Sequence, residues 1–348
     1  MSDTVTAPAP AKKLKITKNK PTGLANGPFQ NRFANFAEKY ALLGLTVLIA
    51  IFFSINPASS TVFPTVPNVN VILGSQAVVS LIALAALFPL VCGYFDFSLG
   101  AIAATSAVLS AGLMANYGAP LWVAILVPIL VGSLLGFING LLVTKFNMNP
   151  FVTTLGMATL LGGGIQWYTG GATIFSGISP ALTNFGSTTF LRIPAVVYIV
   201  AVVAVGGWYI LAHTPFGRSL YAIGSNPASA RLVGLRVQRN VWSSFVLAGF
   251  IAGLAGVVQL SRTGSATADP GTSLLFPALA AVFLGATAIN PGFFNVVGTI
   301  VGALFVSVSV SGLTLSGATS WASPVFNGAA LLAAVGLSTY LGRRRRAS

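Results

Sequence analysis

Apolar residues fall in long unbroken blocks along this chain, with neither the alternation of a half-buried strand nor the stripe of a soluble amphipathic helix. Ten blocks stand out, at 40–55, 71–93, 98–117, 119–144, 151–168, 193–212, 241–260, 273–289, 293–313 and 321–341. Each is near the roughly 20 residues that a helix needs to cross a bilayer. The breaks between them differ in kind. Gly93-Tyr-Phe-Asp-Phe-Ser98 is tight, with no room for a loop. Asn290-Pro-Gly292 is a turn, and 170–191 is a polar Gly/Ser/Thr/Pro connection. The pattern predicts an all-α polytopic membrane protein of about ten spans.

One break is both long and ordered. Residues 214–239 carry Arg218, Arg231, Arg236 and Arg239 and no acid. Within them Asn226 stands where an N-cap belongs, Pro227 at the first helical position and Gly234 just past the end. Asn satisfies orphan amides, Pro needs none there, and Gly accepts a left-handed C-cap. A helix over 227–233 is predicted, with Gly217 and Gly224 permitting turns before it. Leu232 and Val233 offer apolar contacts on a segment otherwise expected to be wet. A loop that serves only topology needs none of this order, so a docking element is expected.

Composition agrees with the pattern. Of 348 residues 55% are hydrophobic and 6% charged, with mean hydropathy +0.86, against about 25% charged in a soluble domain. The net charge of +14 would suggest nucleic acid in a soluble chain, but here the cations flank spans. With both termini cytoplasmic, ten spans put every Lys and Arg inside except Arg192 and Arg262, as the positive-inside rule requires. Residues 1–39 read as a basic, disordered cytoplasmic tail, 40–342 as the membrane domain, and 343–348 as a basic cytoplasmic end whose four arginines anchor to anionic lipid.

The residue inventory excludes most chemistry. Cys92 and His213 are single, and the acids are Asp3, Glu38, Asp96 and Asp269. No metal site, disulfide, HExxH or GxxxxGK[ST] motif can be built from these. The chain is therefore read as a non-enzyme that binds no cofactor itself. Cys92 reads as a buried filler and His213 as a helix-end residue favoured by the dipole. Asp96, the one carboxylate among the apolar blocks, must cap a helix, lie near an end, or face a watery route. Ser98 shares the capping reading. Asn139 and Gln166 could hydrogen-bond a neutral hydroxyl or join neighbouring helices. Trp167 and Tyr168 suit an interfacial belt, and Gly249, Gly253 and Gly256 suit close helix packing. Gly93-Tyr-Phe-Asp96 is echoed by Gly292-Phe-Phe-Asn295, as in the duplicated halves of some transporters.

The phrase Thr214-Pro-Phe-Gly-Arg-Ser-Leu-Tyr-Ala-Ile-Gly-Ser-Asn-Pro-Ala-Ser-Ala-Arg-Leu-Val-Gly-Leu235 closely resembles the cytoplasmic loop of permeases from bacterial sugar-importing ABC transporters, the ribose/xylose/galactose branch. Asp96-Phe-Ser-Leu-Gly100 is similar to that family's Asp-Leu-Ser-Val-Gly. Pro150-Phe-Val-Thr-Thr-Leu-Gly156 is similar to its Pro-Phe-Ile-Val-Thr-Leu-Gly. The resemblance covers roughly residues 40–342.

It implies a permease subunit in the bacterial inner membrane, paired with a second permease, expected as a homodimer. A cytosolic ABC ATPase would carry ATP and Mg, and an extracytoplasmic binding protein would deliver a sugar or similar polyol. Residues 226–234 resemble the coupling helix. The resemblance places ATPase coupling on Gly217, Arg218, Tyr221, Ala222 and Gly224, and then on Asn226, Pro227, Ala230, Arg231, Leu232, Gly234 and Arg236. Asp96, Ser98, Asn139 and Gln166 are the candidates for the translocation pathway. The competing reading is a stand-alone secondary transporter or channel for a small neutral solute, which would need more ionisable groups within its spans than one Asp.

Overall fold

The computed structural model describes residues 28–269 and 271–347, with side chains described at Phe36, from Lys39 to Asp269 and from Gly271 to Gly336. The tail reading for 1–27 and the lipid-anchor reading for the arginines at 343–346 lie outside these described residues and side chains.

The chain is nearly all helix, in the order α1 (Pro28–Ile55), α2 (Val66–Val91), α3 (Leu99–Tyr117), α4 (Leu121–Thr144), α5 (Pro150–Thr169), α6 (Pro180–Ser187), β1 (Thr189–Phe190), β2 (Ile193–Pro194), α7 (Ala195–His213), α8 (Pro215–Ser225), α9 (Pro227–Leu232), α10 (Val237–Thr263), α11 (Thr272–Gly285), α12 (Val296–Leu315) and α13 (Ala322–Ala347). Every predicted apolar block contains a helix. Six of them, α2, α3, α4, α7, α10 and α12, are long and apolar enough to cross a membrane, and shorter apolar helical stretches run over Lys39–Ile55, Thr272–Gly285 and Ala322–Gly336.

Three boundaries differ from expectation. α1 begins at Pro28, well before residue 40. Aromatic residues at 29, 33, 36 and 40 recur at helical spacing in the sequence, a signal that a search for unbroken apolar runs passes over. The connection 170–191 holds α6, and β1 and β2 close a two-residue hairpin whose turn residues, Leu191 and Arg192, have φ of 49° and 65°. The third is α8, described with the site below.

Helix starts follow one local rule. Asn149 precedes Pro150 and accepts from the amides of Phe151 and Val152; Thr214 precedes Pro215 and accepts from Gly217; Asn226 precedes Pro227 and accepts from Ala228 and Ser229. A side-chain oxygen satisfies amides that have no carbonyl within the helix, and Pro has no amide to satisfy.

Packing centres on α2 and α10. From Ala77 to Cys92 nearly all of α2 is buried. α10 lies against α4, α2 and α3, while α11 lies against α12, α13 and α2. In a bilayer apolar side chains gain little by leaving lipid, so close backbone approach must supply the attraction. The α4–α10 seam does so through Gly132 and Gly136 on one side and Gly249 and Gly253 on the other. A Cβ on Gly136 would meet the Phe245 carbonyl and the Gly249 Cα, and one on Gly249 would meet the Gly132 carbonyl. Gly256 packs in the same way on Ala103 of α3. The Ser106 hydroxyl also donates to the Gly253 carbonyl at 2.6 Å. Such a bond, here between α3 and α10, is worth only about 0.6 kcal/mol in a membrane bundle.

Candidate functional site

α7 ends at Thr214, and the chain re-enters helix at once. The Thr214 hydroxyl donates to the Ile210 carbonyl at 2.6 Å and accepts from the Gly217 amide at 3.2 Å, so one side chain ties the two helices. α8 is amphipathic, with Leu220 and Ile223 fully buried and Arg218 and Ala222 exposed. The expected turns at Gly217 and Gly224 are not there: both glycines lie inside α8. Their smallness serves contact instead. A Cβ on Gly217 would run into Leu211 and the Ile210 carbonyl, and one on Gly224 into the Val91 carbonyl at the end of α2. Two signals in the sequence point to α8, the Thr-Pro start and the helical spacing of Phe216, Leu220 and Ile223, and both are masked by the glycines.

α9 comes next as a six-residue helix with Asn226 as its cap. Its end is equally defined. The Leu235 amide donates to the Ala230 carbonyl and the Gly234 amide to the Arg231 carbonyl, both at 3.0 Å, around Gly234 at φ 83°. This is the paired bond pattern of a Schellman cap, which needs a residue free to take the left-handed conformation. Ala230 is buried, whereas Leu232 is 90% exposed and Val233 76%. Pro227, Arg231 and Arg236 are exposed around them. A stiff, capped piece thus presents two bare apolar side chains on a stretch that also exposes Arg231 and Arg236.

Tyr221 reaches inward from α8, and its hydroxyl donates to the Phe294 carbonyl at 2.7 Å. Burial raises its pKa above the ordinary phenol value, which keeps the proton in place for that bond. Tyr94, in the turn below α2, is also raised, by burial first and by nearby Cys92, while Arg231 pulls it back.

The structure brings together three of the four pathway candidates. Asp96 Oδ1 accepts from the Ser98 amide at 2.9 Å and from the Ser98 hydroxyl at 2.6 Å. Asn139 Nδ2 donates to the Ser98 oxygen at 2.8 Å. All three side chains are buried, and Asp96 Oδ2 and Asn139 Oδ1 have no hydrogen-bond partner. Burial pushes the Asp96 carboxyl up to about 6, and the two Ser98 bonds hold it back. The expected cap by Ser98 itself is not made: its φ and ψ of −86° and −11° are already helical, which turns the hydroxyl away from the first amides. Asp96 takes that role and so pins the start of α3 to α4 through Asn139.

Gln166 stands apart on the exposed side of α5. The Asp96 end of that helix is marked by Thr154, whose hydroxyl accepts from the Phe97 amide at 3.1 Å. Twelve helical residues separate Thr154 from Gln166, about 18 Å at 1.5 Å per residue. Thr154 falls in the family-like stretch 150–156, but the sequence carries no signal of its bond to Phe97, 57 residues away. Cys92 is buried, as expected of a filler, and His213 sits in the last turn of α7, stacked on Tyr209. Trp167 is 85% exposed.

Known proteins resemble this chain in sequence. Residues 68–335 match the family described as the permease component of branched-chain amino acid transport systems. The chain belongs to that permease family. Among its relatives is the ribose import permease of Haemophilus influenzae, 34% identical over 88% of this chain and 95% of the relative. The ribose import permease of Bacillus subtilis is 37% identical over 84% and 90%, and the D-allose transport permease of Escherichia coli K12 is 31% identical over 89% and 94%. No solved structure matches the permease. It is an integral membrane protein, and its matched segment runs from α2 into α13, with the α8–α9 loop in between.

Proposed function

We propose that this permease is the membrane subunit of an ATP-driven importer for a sugar or a similar polyol. The observation that carries the reading is α9, capped at both ends and presenting Leu232 and Val233 on a stretch with exposed Arg231 and Arg236. Such a piece is built to be gripped by another protein. Relatives named for ribose and allose import, aligned over most of both chains, support the sugar class over the amino acids in the family's description.

In this reading two copies of the chain cross the inner membrane ten times each, with their termini inside, and form the pathway between them. A cytosolic ATPase pair binds ATP and Mg and holds α9 in a groove. An extracytoplasmic binding protein supplies the solute. Closure of the ATPase pair pushes α9, and the short bonded links to α8 and α10 pass the push to α7 and α10. The exposed face of α5, where Thr159 and Gln166 stand among apolar residues such as Leu155 and Leu160, is the surface offered to the pathway. Asp96, Ser98 and Asn139 hold the inner ends of α3 and α4 in register.

The test is purification of the protein from its own membranes in mild detergent, native and as Arg231→Glu, followed by identification of partners. An ATPase subunit is expected with the native protein and not with the variant. A native protein that comes away alone and moves solute in liposomes without ATP would instead be a secondary transporter.

A further inference from the structure

The repeated turn noted in the sequence is repeated in space, and both copies meet at one side chain. Gly93 and Gly292 have φ of 86° and 85°. In each turn the fourth residue caps the start of the next helix: Asp96 Oδ1 accepts from the Ser98 amide, and Asn295 Oδ1 accepts from the Gly298 amide at 2.6 Å. The third residues, Phe95 and Phe294, both lay their rings on Phe283 of α11. Phe95 stacks on it at 6.0 Å and 19°, and Phe294 meets it edge-on at 5.3 Å and 79°.

The coupling loop holds the two turns from the other side. Tyr221 of α8 is bonded to the Phe294 carbonyl, and Gly224 is seated on the Val91 carbonyl just before the first turn. Beyond Phe95 the contacts continue to α5. Phe95 stacks on Phe97 at 6.0 Å, Phe97 meets Phe151 edge-on at 5.1 Å, and the Phe97 amide is bonded to Thr154. Phe283 is 7% exposed, whereas Phe95 and Phe151 are 41% and 51% exposed. The middle of the chain of rings is fixed by its surroundings, and the rings nearer α5 have open space on one side.

We propose that Phe283 is the positioning residue through which movement of the α8–α9 loop reaches α5, by way of the two turns it joins. This rests on the importer reading. It adds that the stroke passes through the bundle from loop to turn to turn to α5, as well as along α7 and α10. Rings that merely fill space would tolerate any side chain of like volume. Rings that transmit a displacement require a flat, stiff body held between its neighbours, here stacked on Phe95 and edge-on to Phe294, so Leu should fail where Tyr succeeds.

The experiment uses the purified complex with its ATPase in nanodiscs, in a Cys92→Ala background with Thr159→Cys on the exposed face of α5. Labelling by a water-soluble maleimide is followed with and without ATP and vanadate, beside the rate of ATP hydrolysis. The native sequence is expected to change its labelling rate on ATP and vanadate. In Phe283→Leu that change should shrink about 2- to 30-fold, the range that coupling variants reach, while hydrolysis stays within twofold. Phe283→Tyr should restore it. Adding Tyr221→Phe to Phe283→Leu should bring little further loss, because both interrupt one series of contacts.

A full labelling response in Phe283→Leu overturns the proposal, as does equal loss in the Leu and Tyr variants. A native complex without an ATPase overturns the importer reading, and this proposal with it. Failure of the native labelling response while hydrolysis continues counts against α5 as the endpoint and overturns the proposal alone.

Discussion

Gly234 shows how much can hang on one residue with no side chain. At φ 83° an L-residue is strained by about 1–2 kcal/mol, and Pro cannot adopt that angle at all. Gly234→Ala is therefore expected to loosen the end of α9 and lower ATP-driven uptake, and Gly234→Pro to abolish it while the protein still inserts. Uptake in vesicles checks both, and wild-type uptake by the Pro variant would remove α9 from the mechanism. Ser98→Ala acts by another route. It deletes the hydroxyl that bonds Asp96 and Asn139; Asp96 Oδ1 keeps the backbone amide of residue 98, but the buried Asn139 Nδ2 loses its partner, at about 1–3 kcal/mol. A lower melting temperature in detergent is expected, and an unchanged one would mean that water replaces the hydroxyl. The Asn-Pro start and Gly end of α9 are legible in sequence because caps are local chemistry. The Ser98–Asn139 bond spans 41 residues, so the residue types are visible but their pairing is not. Gly217 and Gly224 mislead because a glycine in a turn and a glycine under a neighbouring backbone look alike in sequence.

Among the elements, the α4–α10 seam is the most demanding. Gly136→Leu would force a branched side chain into the Phe245 and Gly249 backbone. Overpacking of this kind costs about 1–3 kcal/mol even where the structure can adjust, and a backbone wall adjusts poorly. Loss of the monodisperse peak on size exclusion is expected. Gly44→Ala is the control, since nothing lies within 4 Å of its Cβ position; it should behave as wild type. The apolar runs make the long helices legible, because a bilayer demands length and hydropathy whatever the neighbours. α8 escapes notice for the opposite reason. It is an 11-residue helix packed on α7, α10 and the end of α2, and this last partner lies more than a hundred residues back in the sequence.

At the scale of the whole molecule, the cations carry the argument. Ten spans with both ends inside leave only Arg192 and Arg262 outside, and α7 then separates Ser187 from Ser225. In a Cys92→Ala background, an impermeant maleimide added to intact cells should label Ser187→Cys and not Ser225→Cys. Labelling of both, or of neither until the cells are broken, would refute the orientation. Both sites are exposed in the monomer, so access is set by the membrane.

α5 has a consequence for how the protein is made. It is 20 residues long, yet Gly156, Gly162, Gly163 and Gly164 with Thr153, Thr154, Thr159 and Gln166 dilute its hydropathy, and it is not one of the six helices apolar enough to cross on composition alone. A helix with so little greasy surface gains little from lipid as it leaves the ribosome. On the ten-span reading it enters the bilayer as a passenger, carried by α4 ahead of it and sheltered by α3 as synthesis proceeds. In a translocon assay α5 alone should stay largely in the lumen, and the α3–α5 segment should be retained whole.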